Sequence, residues 1–176
     1  MYYSAMLKPP TMNEMRILII NGPNLNLLGM RRPEIYGRET FGETLAKLRK
    51  RFGEMTLEYF QSNSEGEIID RIQQAAFCPD NEDNGKTNAT EGEENRVTGI
   101  VINPGAYAHY SHAIADAIEA CPLPVAEVHI SNIFAREEFR TQTVTGRCAD
   151  AVIAGCGRNG YALAIEHILD MHLSEE

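Results

Sequence analysis

The most constraining feature of this chain is an alternation of short aliphatic, β-branched runs with longer stretches of helical spacing. The first run, Arg16-Ile-Leu-Ile-Ile-Asn21, is apolar without interruption. A strand with one wet face would alternate apolar and polar residues, so this one predicts a sheet covered on both faces. Met55 to Gln61, Val97 to Asn103, Val125 to Ile130 and Ala149 to Ala154 read as four further strands. Thr40, with Glu43 three residues on, caps a helix running to Phe52 before Gly53. Ser64 caps a second helix to Phe77, with Ile68, Ile69 and Ile72 on its buried stripe. Ser111 to Ala120 and Gly160 to His172 read as two more, while Arg136 to Gly146, after the fourth strand, reads as irregular. Repeated strand–helix units predict an open, doubly wound parallel α/β sheet with helices on both faces.

At 176 residues the chain predicts one domain, residues 15–173, behind a flexible leader, residues 1–14. An insertion at about 79–96 breaks the rhythm, with no large apolar residue, six acids and two bases. The formal charge is −9, and a chain this acidic repels phosphate backbones, so nucleic acid is not an expected partner. No apolar run is long enough for a membrane span, and residues 1–14 lack the apolar core of a signal peptide. Cys78, Cys121, Cys148 and Cys156 form no CxxC pair and no zinc spacing, so they read as reduced thiols of a cytoplasmic protein.

In a doubly wound sheet, ligands sit beyond the carboxyl ends of the strands, where strand order reverses. Here those ends are polar. The first strand leads through Asn21-Gly-Pro-Asn24 to Arg31, Arg32 and Tyr36; the third ends in Asn103-Pro-Gly-Ala-Tyr-Ala-His109; the fourth carries Glu127 and His129 and runs into Ile130-Ser131-Asn132. Glu127 and His129 are two apart, so they share a face of their strand. A carboxylate beside an imidazole favours its charged form and fixes its tautomer, as a general acid requires, although a structural ion pair has the same spacing. Tyrosine has a reference pKa of ~10, and Arg31 would favour the phenolate that a basic Tyr36 needs; a ring that only anchors a loop is the other reading. His109, Ala113 and Asp116 are spaced to share a helix face, and His112 and Asp116 to form a surface pair. Arg136 and Arg140 either clamp a polar ligand or solvate a loop with Glu137 and Glu138.

The omissions narrow the chemistry. No GxGxxG follows the first strand and no GxxxxGK[ST] occurs, which argues against dinucleotides and P-loop phosphates. Glu127 and His129 lack a third ligand at a supporting spacing, so no metal is expected. The four lysines, Lys8, Lys47, Lys50 and Lys86, avoid the strand ends, which argues against a Schiff base.

The segments ILIINGPNLNLLGMRRPEIYG, VINPGAYAHYSHAIADA and PVAEVHISNIFAREEFR, in this order, resemble the type II 3-dehydroquinate dehydratases. The resemblance covers most of Arg16 to Met171 and leaves out the leader and the insertion. It implies a flavodoxin-like sheet in the order 2-1-3-4-5. The implied reaction is trans elimination of water from 3-dehydroquinate through an enolate, giving 3-dehydroshikimate without metal or cofactor, in the shikimate pathway or in quinate breakdown. By motif, Tyr36 resembles the base and Arg31 the cation that activates it, while Asn24 holds a water over the enolate oxygen. His129, paired with Glu127, matches the acid. Asn103 and the backbone of Ile130 and Ser131 would take the carboxylate, and His109 and Arg140 the ring hydroxyls. Asp116 would reach a neighbouring subunit's site, in a homododecamer built from trimers. Ala108 and Tyr110 flank His109 where threonines are usual, and Ser64 stands where a histidine is common. The alternative is a flavodoxin-like binding or signalling module without catalysis; strand ends in asparagine disfavour an acidic receiver site.

Overall fold

The structure, a computed structural model, describes residues 10–30, 39–77 and 96–173. Arg31 and Tyr36, all but Arg96 of the expected insertion, and residues 1–9 of the expected leader lie outside the described residues.

Five strands form one parallel sheet: β1 (Arg16–Asn21), β2 (Thr56–Gln61), β3 (Gly99–Asn103), β4 (Val125–His129) and β5 (Ala151–Ala154). Their order is β2-β1-β3-β4-β5, the expected flavodoxin-like arrangement. Helices α1 (Phe41–Arg51), α2 (Glu65–Phe77), α3 (His112–Ala120) and α4 (Asn159–Leu173) complete the fold.

The uninterrupted run of β1 is explained by what covers it. Ile17 and Ile19 pack into a core with Phe41, Leu45 and Leu48 of α1 and Tyr161, Ile165 and Ile168 of α4. Leu18 and Ile20 face the other way, onto Ile68 and Ile72 of α2 and Ile114 and Ile118 of α3. All four β1 side chains are fully buried, each worth ~1.5–3 kcal/mol relative to exposure. The expected cap of α1 is present: the Glu43 N–H reaches Thr40 Oγ1 at 3.3 Å, and Glu43 Oε2 accepts from the Thr40 N–H at 2.7 Å.

Between β4 and β5, where the sequence reads as irregular, there is no α-helix but three 3₁₀ turns, Ile133–Ala135, Glu138–Arg140 and Thr145–Arg147. α3 starts where the sequence places it: Ser111 is its N-cap, accepting from the Ile114 N–H at 3.0 Å, and His109 belongs to a separate 3₁₀ turn, Gly105–His109. His109 therefore shares no helix face with Asp116, contrary to the expectation from spacing.

Candidate active site

Strand order reverses at β1 and β3, and a cavity of about 340 Å³ opens beyond their carboxyl ends. It lies within the ~300–1,000 Å³ usual for small-molecule sites. Asn24, Asn103, His109, His129, Ile130, Ser131 and Arg140 all line it, so seven of the expected site residues converge.

Backbone geometry explains how the two strand ends meet. A Cβ on Gly22 would lie 2.4 Å from the Pro104 carbonyl oxygen, so only glycine permits the 2.8 Å bond from the Gly22 N–H to the Asn103 carbonyl. Asn24 follows at φ +67°, a left-handed conformation that asparagine tolerates. Its N–H donates to Asn63 Oδ1 at 3.0 Å, while the Asn63 carbonyl accepts from the Tyr107 hydroxyl at 2.9 Å. Asn63 thus joins the loops after β1, β2 and β3.

Asn103 is buried and its amide is oriented from below. Its Oδ1 accepts from the Gly105 N–H at 3.2 Å and its Nδ2 donates to the Tyr161 hydroxyl at 3.0 Å. That hydroxyl donates in turn to Asn21 Oδ1 at 2.7 Å. Burial pushes the Tyr161 phenol far above its ordinary pKa, so it stays a neutral donor. The second Nδ2 proton of Asn103 is left for a ligand.

Glu127 and His129 lie on the β4 face that elsewhere packs apolar residues, including Val125. Glu127 is fully buried and its Oε1 stands 2.7 Å from His129 Nε2. Charge alone would make this burial costly. The β4–β5 crossover compensates: the Thr143 hydroxyl donates to Glu127 Oε1 at 2.6 Å and the Thr145 hydroxyl donates to Oε2.

His109 lies beside this pair, its ring stacked on His129 at 6.2 Å between centroids. Only its Nδ1–H can bond the Gln142 carbonyl at 2.8 Å, so Nε2 is its free nitrogen. Burial, opposed by the Gln142 bond and aided by positive charge at His129 and Arg140, pushes the His109 pKa below its ordinary value. His109 is thereby disposed to stay neutral. Arg140 stands at the rim with its Nε 3.3 Å from Glu137 Oε2, and its guanidinium lies 4.8 Å from the Phe139 ring.

Asp116 is not brought to this cavity. It is exposed on α3, and among the described residues it makes no ion pair with His112. Arg31 and Tyr36, the expected base pair, lie outside the described residues. Sequence reasoning missed Thr143, Thr145, Tyr161 and Asn63. It also missed a signal after β5, where Gly155-Cys-Gly-Arg-Asn-Gly160 has GxGxxG spacing. Its glycines act on protein: the Gly155 and Gly157 N–H groups donate to the His129 and Ile130 carbonyls at 3.1 and 3.0 Å, pinning the end of β4. No group of three metal-ligating side chains occurs, and no helix is long and apolar enough to cross a membrane, among the described residues. The described cysteines, Cys121, Cys148 and Cys156, are free thiols.

Comparison with known proteins agrees with this geometry. The 3-dehydroquinate dehydratase of Clostridium botulinum (strain Loch Maree / Type A3) is 46% identical over 156 residues, 88% of this chain and 94% of its own. That of Bacillus subtilis (strain 168) is 44% identical over 161 residues, 90% of this chain and 96% of its own. The crystal structure of the type II dehydroquinase from Butyrivibrio crossotus DSM 2876 superposes with a TM-score of 0.75 at 42% identity, covering 88% of this chain and 97% of that one. The family model described as Dehydroquinase class II matches residues 15–169, and the chain belongs to that family.

Proposed function

We propose that this chain is a hydro-lyase converting 3-dehydroquinate to 3-dehydroshikimate and water. The observation that carries the reading is the buried Glu127–His129 pair at the cavity wall, in a chain of this family. Tyr36, as phenolate beside Arg31, takes the C2 proton, and the electron pair moves onto the C3 carbonyl oxygen as an enolate. Asn24 holds a water against that oxygen. As the enolate collapses, the C1–O bond breaks, and His129 delivers a proton from Nδ1 to the departing hydroxyl, leaving as water. Glu127 keeps the proton on Nε2, so the atom that exchanges protons is the one facing substrate.

The substrate carboxylate is held by the Asn103 amide and the backbone at Ile130 and Ser131, and the ring hydroxyls by His109 and Arg140. The elimination as written balances without a metal or cofactor. Asp116, exposed on its own α3, serves the site of an adjacent subunit, in trimers grouped into a dodecamer. The protein acts in the cytoplasm as a single catalytic domain, residues 15–173, and the same step suits biosynthesis or quinate breakdown. The formal charge of −9 disfavours nucleic acid as a partner, and no helix among the described residues is long and apolar enough to cross a membrane.

The test is spectrophotometric: purified protein should form the enone from 3-dehydroquinate, and Tyr36→Phe should lower kcat by ~10²–10⁴-fold with the fold intact. No enone formation by the unaltered protein would refute the activity. A Tyr36→Phe variant within about tenfold of it would refute the base.

A further inference from the structure

Behind Glu127 and His129 lies a layer of groups that the mechanism above does not use. We propose that Thr143 and Thr145 are positioning residues that hold Glu127 as a fixed, ionised acceptor and so dictate which nitrogen of His129 faces the substrate. The kinetic arm of this proposal rests on the dehydratase reading; the spectroscopic arm does not.

Thr143 Oγ1 already accepts from the Gly146 N–H at 3.0 Å, which leaves its own proton to donate. Two acceptors compete for it, Glu127 Oε1 at 2.6 Å and the Ala108 carbonyl at 3.3 Å, and the shorter, charged one wins. Thr145 is fully buried, and its hydroxyl donates to Glu127 Oε2, with Thr143 Oγ1 the next neighbour at 3.3 Å. Each carboxylate oxygen therefore faces a threonine donor. A protonated Glu127 would set its own hydrogen against one of them, so the arrangement fits the ionised form. Oε1 then accepts from His129 Nε2 as well, which puts a proton on Nε2 and leaves Nδ1 to exchange with the cavity.

Packing alone would not demand hydroxyls, because valine fills nearly the same volume as threonine. The backbone is drawn in around the carboxylate as well: a Cβ on Gly146 would meet Thr143 Cγ2 at 2.6 Å and Glu127 Oε1 at 3.0 Å. The other titratable and charged groups around the pair are His109 on the turn after β3, Arg136, Glu137 and Arg140 on the crossover, and Cys148, whose thiol feels the Glu127 charge. None is altered by substituting the threonines.

The experiment compares Thr143→Val and Thr145→Val with Thr143→Ser and Thr145→Ser, reading kcat against pH for 3-dehydroquinate and the ¹⁵N shifts of the His129 ring. Each valine variant should lose ~10–100-fold in plateau kcat, the worth of one bond to a charged group, with KM little changed. The alkaline limb should move to higher pH, because a carboxylate stripped of a donor shares the proton of its partner more tightly. Each serine variant should restore the plateau and the limb. The unaltered protein should show His129 as the Nε2–H tautomer, and the valine variants a mixture. Valine variants within about twofold of the unaltered protein and with an unmoved limb would overturn the proposal, as would an Nδ1–H tautomer at the outset. If Thr145→Val does not fold, the less buried Thr143 carries the same test. If the unaltered protein does not turn over 3-dehydroquinate, the functional reading fails while the tautomer still decides the role of the threonines.

Discussion

The two crossovers that flank β4 do opposite things with the same length of backbone. The one before it is a capped helix, α3, which satisfies its own amides and presents Ile114, Ala117 and Ile118 to the sheet. The one after it has no α-helix and spends its hydroxyls and amides on its neighbours: Thr143 and Thr145 on Glu127, the Gln142 carbonyl on His109, and the Val144 N–H on the Ala108 carbonyl at 2.7 Å. A helix offers a sheet an apolar stripe and nothing to bond to. A buried carboxylate needs donors, and donors come from irregular chain. The contrast assigns stability to α3 and chemistry to the second crossover, and substitutions can separate the two.

The largest effect belongs to the group the second crossover exists to serve. Glu127→Gln keeps the shape but removes the charge that His129 needs and, with an NH2 in place of one oxygen, sets a donor against one of the two threonine hydroxyls. Steady-state kinetics should show a loss of ~10²–10⁴-fold in kcat, with circular dichroism unchanged. Retention of more than about a tenth of the activity would mean that the threonines serve packing only.

Next come paired substitutions, one in each crossover. Ile114→Ala, at a fully buried site on α3, should cost ~2–5 kcal/mol in urea denaturation and leave kcat per folded molecule unaltered. Gly146→Ala should cost less stability, ~1–3 kcal/mol for overpacking, yet reduce kcat, because the added methyl presses on Thr143 and Glu127. If both variants lose activity in proportion to stability, the division between the crossovers does not hold.

Legibility in the sequence follows the same division. The strands, α1 with its Thr40 cap and the span of α2 were readable because period and capping are local signals. Their polar ends were readable because a doubly wound sheet puts ligands there. The shared face of His109 and Asp116 was misread although Ser111 carries the capping signal: a 3₁₀ turn starting at Gly105, φ +62°, comes between β3 and that cap. Thr143 and Thr145 could not be read at all. They meet Glu127 across 16 and 18 residues of sequence, and an irregular segment has no period to predict which side chains turn inward. Nothing local singles out Tyr161 within α4, because the hydrogen bonds that distinguish it run to Asn103 and Asn21 on two other elements.

The smallest expected effect tests the joint between the crossovers. His109 stands on the turn leading into α3 but gives its Nδ1–H to Gln142 of the second crossover. Burial holds its folded pKa below the unfolded value of ~6.5, so between those two values the unfolded chain binds more protons than the folded one. Stability must then rise with pH across that window. His109 weakens the fold progressively as pH falls below ~6.5, and the loss is complete below the folded value. His109→Gln keeps a side-chain N–H for the Gln142 carbonyl and has nothing to titrate. Urea midpoints at pH 7.5 and at mildly acidic pH should show the unaltered protein losing more than the variant on acidification, while at pH 7.5 the two differ little. Because other groups titrate alike in both proteins, the difference between the two losses isolates this ring. A difference that does not change with pH would mean that the imidazole takes its proton in place, accepted by the cavity.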